Sequence, residues 1–84
     1  MERTNTHLVT AFAAALRRRR LAAGLSQEDL AARTEISTRH ISFLETGKRQ
    51  PTLTIMLALS DGLGVTMGEL VGEVEERYRS GSGG

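Results

Sequence analysis

Apolar residues recur along most of this chain at steps of three and four, and single glycines interrupt the pattern. That period belongs to helices, and no stretch alternates with the period of two that marks a strand. Leu8, Phe12 and Leu16 recur every fourth residue, and the alanines between them favour a first helix over about 7–23. Gly24 suits the left-handed position just past its end. Ser26 caps a second helix of about 26–34, and Asp29 is placed to form half of a capping box. Glu35-Ile36 makes a tight turn with Ile36 as its apolar plug. Ser37 caps a third helix of about 37–46 whose Ile41 and Leu44 face inward, and Gly47 ends it. Thr52 caps a fourth helix of about 52–63 with a stripe of Leu53, Met56, Leu59 and Leu63, and Gly64 stops it. Thr66 with Glu69 forms a capping box for a fifth helix, which runs to about Arg79 and faces inward through Met67 and Leu70. The fold class is therefore all-α with five helices, in one domain over residues 8–79. A flexible N-terminus at 1–7 and a flexible Gly/Ser tail at 80–84 flank it. The tail reads as an expression remnant or as the stub of a longer protein.

One stretch has a layout with chemical consequences. Residues 26–46 hold two short helices joined by a tight turn, and the outer face of the second carries Thr38, Arg39, Ser42 and Phe43. In a helix-turn-helix of this kind the second helix lies in the DNA major groove. Upstream, Arg17 to Arg20 form a run that cannot all face one way. Arg20 continues the Leu8/Phe12/Leu16 stripe, points at the core and needs a charge partner there; Glu45 is the candidate. Arg17, Arg18 and Arg19 fall on the solvated side, where one or two can reach phosphates.

Composition sharpens the picture. The net charge of +1 divides unevenly: residues 1–50 hold nine Lys/Arg against five Asp/Glu, and residues 51–84 hold two against five. A basic first part fits an anionic partner. Three aromatic residues are too few for a single-strand stacking platform. The absence of cysteine excludes disulfides and thiolate metal sites. Two isolated histidines and no glycine-rich phosphate cradle leave no nucleophile–base set, so an enzyme is not expected, and neither is a cofactor or a metal. His7 reads as a surface residue, and His40 as a phosphate neighbour or a solvated residue rather than a pH switch. Glu73, Glu75 and Glu76 read as a solvated helix face. No apolar run approaches the roughly 18 residues of a membrane span. The start has no signal pattern, so a cytoplasmic protein is expected.

Arg20-x-x-x-Gly24-Leu25-Ser26-Gln27-x-x-Leu30-Ala31, then Ile36-Ser37, Ile41-Ser42, Glu45-x-Gly47, Pro51 and Leu53, together resemble the Cro/phage-repressor (XRE) family. The likeness continues through Leu63-Gly64-Val65-Thr66 and Glu69-Leu70 and covers roughly residues 12–72. It implies a lambda-repressor-like domain, a homodimer and double-stranded DNA carrying paired operator half-sites. In length the chain is similar to restriction–modification controller proteins of that family. By resemblance, Thr38, Arg39 and Phe43 sit where base edges are touched, with Ser42 beside them. Gln27, Thr46, Lys48 and Arg49 sit where phosphates are gripped, and Gln27 also braces the recognition helix. Ala31 and Ile41 match the residues that let the two motif helices cross closely. Arg20 and Glu45 match an internal ion pair, in agreement with the stripe argument. Two positions depart from the pattern. Glu35 stands where the turn favours glycine. Phe43 replaces a polar or small residue, and it either meets a thymine methyl or folds back onto the domain.

Val71, Val74 and Tyr78 recur on a second face of the fifth helix, and helix 66–79 is expected to pair two copies through them, with Leu63, Val65 and Met67 adding to the interface. The expected function is a dimeric repressor on a roughly palindromic operator, with activation through RNA polymerase as a second mode. Two other readings stay open at this point: a protein-binding module such as an antitoxin, and the DNA-binding part of a longer regulator.

Overall fold

The computed structural model describes residues 4–80, and among these it has five helices and no strand: α1 (Thr6–Ala22), α2 (Gln27–Thr34), α3 (Thr38–Glu45), α4 (Leu53–Leu63) and α5 (Met67–Arg79). Each helix begins on a side chain that accepts one of its otherwise unpaired N–H groups. Asn5, Ser26, Ser37, Thr52 and Thr66 fill that role in chain order. The box at Ser26 is complete: the Asp29 N–H donates to Ser26 Oγ, and the Ser26 N–H donates to Asp29 Oδ2, both at 2.9 Å. Thr66 and Glu69 do the same for α5. The cap at Asn5 starts α1 earlier than composition suggests. Residues 4–7, expected to be flexible, therefore include a cap and the first turn, while residues 1–3 and 81–84 lie outside the described part.

Leu16, Leu30, Ile41, Leu44, Leu59 and Leu70 are fully buried, and Phe12 nearly so. They come from all five helices and converge on one core. The α1–α5 contact is the most extensive; α3 packs on α1, α2 packs on α3 and α4, and α4 packs on α5. Where α2 meets α4, a Cβ at Gly62 would stand 2.5 Å from Thr34 Cγ2 and 3.2 Å from Leu30 Cδ1. Glycine is what lets these two helices close up.

Several expected core positions fall elsewhere. Leu53 is 74% exposed and Leu8 is 40% exposed. Both sit in the first turn of their helix, at the rim of the packing, and Leu8 borders an apolar groove with Met56 and Val71. On α5, Val74 is buried in its own core and Tyr78 packs against that core, its hydroxyl accepting a hydrogen bond from Asn5 Nδ2 at 3.1 Å. Only Val71 of the three expected interface residues is exposed. The second apolar face of α5 is used mainly to dock on α1. Leu63 is likewise buried, and Val65 packs on the core.

Candidate nucleic-acid interface

The turn between α2 and α3 is made by Glu35 in the left-handed region, at φ 61° and ψ 18°. That conformation costs a non-glycine residue about 1 kcal/mol. Local bonds hold it: the Glu35 N–H donates to the Ala31 carbonyl at 2.9 Å, and Thr34 Oγ1 donates to the Leu30 carbonyl while accepting the Ile36 N–H. Ile36 then plugs the turn from inside. The departure from glycine leaves the turn tight.

Helix α3 is fixed from beneath. Ile41 and Leu44 anchor it in the core, and Glu45 ties its last turn to two other elements. Arg20 Nε and Nη2 donate to the two Glu45 carboxylate oxygens at 2.6 and 2.9 Å, and Nη1 donates to the Leu25 carbonyl at 2.8 Å. Gln27 Nε2 adds a third bond to Glu45, at 3.1 Å. One guanidinium thus joins α1, the loop before α2 and the end of α3. Its pKa is held above the ordinary arginine value by the hydrogen bond it donates to Glu45, against the cost of burial. Among the described residues, no buried side-chain polar atom lacks a hydrogen-bond partner.

The opposite side of α3 faces outward. Arg39 is exposed there, and Thr38, His40, Ser42 and Phe43 are half-buried. Beyond the helix end, Thr46, Lys48 and Arg49 are exposed. The Thr46 hydroxyl donates back to the Ser42 carbonyl at 2.8 Å, closing the last turn. Lys48 and Arg49 both donate their N–H groups to the Phe43 carbonyl, so the basic loop folds against the helix. Gln27 is directed to Glu45 at the inner edge of this surface. The arrangement brings Thr38, Arg39, Ser42 and Phe43 onto one face, with Lys48 and Arg49 at its end.

Phe43 does not fold back onto the domain. It lies outside the core, with two guanidinium groups near its ring: Arg39 at 5.3 Å and Arg49 at 5.9 Å from the centroid. Aromatic faces attract guanidinium at these distances. The Arg39/Phe43 spacing of four residues was the legible signal for the first contact; the second depends on the loop.

A second cluster takes Glu73 out of the solvated face, on which Glu75 and Glu76 stay exposed. Glu73 accepts from Arg18 at 2.7 Å through both oxygens, from Arg19 at 2.6 Å and from Arg77 at 2.9 Å. Arg18 and Arg19 thus join α1 to α5. The hydrogen bond from Arg18 leads the effects that push the Glu73 pKa down to about 2.

Two short helices at a tight turn, the second locked on its inner side and carrying a polar and basic outer side, define a helix-turn-helix domain. Comparison with known proteins agrees. A helix-turn-helix family model matches residues 16–70, most of the chain, and the protein belongs to that family, in its XRE-type branch. It is 42% identical over 53 residues to a helix-turn-helix-type transcriptional regulator, y4dJ of Sinorhizobium fredii (strain NBRC 101917 / NGR234), covering 63% of this chain and 69% of the relative. It is 38% identical over 52 residues to the control protein C.MunI of a Mycoplasma species, covering 62% and 70%. Its fold matches the clp gene regulator ClgR of Corynebacterium glutamicum, with a TM-score of 0.83 at 24% identity over 90% of this chain and 81% of that one. A second ClgR structure gives 0.76 at 26% identity, over 82% and 90%. The protein is a DNA-binding transcriptional regulator with a lambda-repressor-like fold, and not an enzyme. Among the described residues, no single helix is long and apolar enough to cross a membrane.

Proposed function

We propose that the protein acts in the cytoplasm as a homodimer, binds a roughly two-fold symmetric operator and represses by occluding a promoter. Helix α3 lies in the major groove, where Arg39, Thr38, Ser42 and Phe43 meet base edges. Lys48 and Arg49 grip the backbone at its end, and Gln27 approaches a phosphate at the start of α2 while bracing Glu45. The observation that carries this reading is the two-sidedness of α3: its inner face is immobilised by Ile41, Leu44 and the Arg20–Glu45 pair, and its outer face keeps Arg39 exposed. A reader of base edges needs both properties, because a loosely held helix cannot keep its side chains in register with the groove.

Pairing is better assigned to a corrected surface. Val71 and Leu8 are exposed and line one apolar groove with Pro51 and Met56, between α1, α4 and α5. We assign a second copy to this groove; a two-fold dimer of this class places its recognition helices about 34 Å apart. Regulation then follows protein concentration through dimer mass action.

Selection from a random duplex library at two salt concentrations tests the reading. The expected result is a two-fold motif with half-site centres about 10 bp apart, retained at the higher salt. Binding without enrichment that fades as salt rises would reduce the interaction to its phosphate component and refute sequence-specific operator recognition.

A further inference from the structure

We infer that Phe43 is a specificity residue: its ring reads a thymine methyl group on the base pair next to a guanine read by Arg39. The inference rests on the proposal that α3 lies in the major groove. An apolar ring on the outer face of α3 belongs to no core, and its immediate company is cationic and polar: Arg39, Arg49, His40 and Ser37 line the same shallow depression. The two guanidiniums, at 5.3 and 5.9 Å, hold the ring in place, while the Lys48 and Arg49 N–H groups close the loop on the Phe43 carbonyl. Ring and arginines therefore form a single preorganised unit.

The groove offers such a unit a limited choice. An arginine fork matches guanine O6 and N7, and the apolar feature that the four bases present in the major groove is the thymine C5 methyl. Base pairs rise by about 3.4 Å. A ring about one and a half such steps from the Arg39 guanidinium therefore reaches the adjacent pair. Arg49, in the loop beyond the helix end, is left for a phosphate.

If Phe43 merely props the arginines, its loss weakens binding to every sequence alike. If it reads the methyl, its loss removes one base preference. The test uses the selected operator with each thymine beside the guanine replaced in turn by deoxyuridine, which deletes only the methyl. Binding is measured with the wild-type protein and with Phe43→Ala, a change outside the core whose folding is checked by circular dichroism. At one neighbouring position, deoxyuridine is expected to weaken the wild type about fourfold per half-site, the worth of one buried methyl group, and to leave Phe43→Ala unaffected. Equal wild-type affinity for thymine and deoxyuridine at every neighbouring position, an unchanged penalty in Phe43→Ala, or an operator with no guanine–thymine neighbours would overturn the inference. A parallel arm replaces the guanine by 7-deazaguanine, which removes the N7 acceptor. A loss there without a deoxyuridine effect sinks the role of Phe43 alone. No loss at any guanine sinks base reading by Arg39, and the inference with it.

Discussion

Two carboxylates organise this domain, and they do so in opposite settings. Glu45 is 3% exposed and faces Arg20, itself 9% exposed by side chain, with Gln27 as the remaining donor. Glu73 is 11% exposed and collects three arginines, of which Arg18 is half in water. The bond lengths are nearly the same in the two clusters, so geometry does not distinguish them. Desolvation does. A buried pair that loses one member leaves an uncompensated charge in the core, whereas an exposed member of a network regains water when a partner goes. The buried pair positions the recognition helix, and the outer cluster fastens α5 across α1.

The largest effect therefore belongs to the buried pair. Arg20→Ala or Glu45→Ala should each destabilise the fold by about 3–5 kcal/mol, read as a fall in urea midpoint at unchanged slope. The double substitution Arg20→Met/Glu45→Leu should cost less than either single change, because no charge is stranded. A double variant as unstable as the sum of the two alanine variants would mean that the hydrogen bonds, and not the stranded charge, dominate.

That pair was legible in advance because it is local in period: Arg20 continues a stripe already marked by Phe12 and Leu16. The capping residues were legible for the same reason, since Ser26/Asp29 and Thr66/Glu69 act within three residues. The Glu73 cluster was not. Glu73 lies among other glutamates on a polar face, and only the docking of α5 on α1 brings Arg18 and Arg19, more than fifty residues away, against it. Leu8 and Leu53 fail for the mirror-image reason. Periodicity says which residues share a face of a helix; it does not say how far the neighbouring helix extends along that face. Nothing in the local pattern marks Gly62, because its role exists only where α2 comes close. At the interface the outer row of α3 followed from spacing, while the placing of Arg49 on Phe43 needed the fold of the loop.

The outer cluster should show a smaller loss, with a pH dependence set by Glu73. The Glu73 pKa is lowered from 4.5 to about 2, so the folded state favours the ionised form. Its contribution is complete above the unfolded value near 4.5 and disappears as pH falls through about 2. Glu73→Gln should cost about 1–2 kcal/mol at pH 7, after discounting for the water around the arginines. The gap between wild type and variant should then narrow steadily between pH 4.5 and 2. A gap that stays constant across that range would show that Glu73 acts through packing or neutral hydrogen bonds.

The smallest effect fixes the lower end of the comparison. Glu75 and Arg79 form an i,i+4 pair two residues further along α5, at 3.4 Å, with both side chains mostly in water at 64% and 71% exposure. The sequence offers this pair as readily as any on the helix, and its charges are the same as those of Arg20 and Glu45. What differs is that neither partner gives up its hydration to make the contact, so little is recovered when they meet and little is lost when they part. Glu75→Gln should move the unfolding free energy by less than about 0.5 kcal/mol, and high salt should erase even that. A loss of 1 kcal/mol or more would mean that the end of α5 is held by its charges, and exposure could then no longer account for the difference between the two clusters.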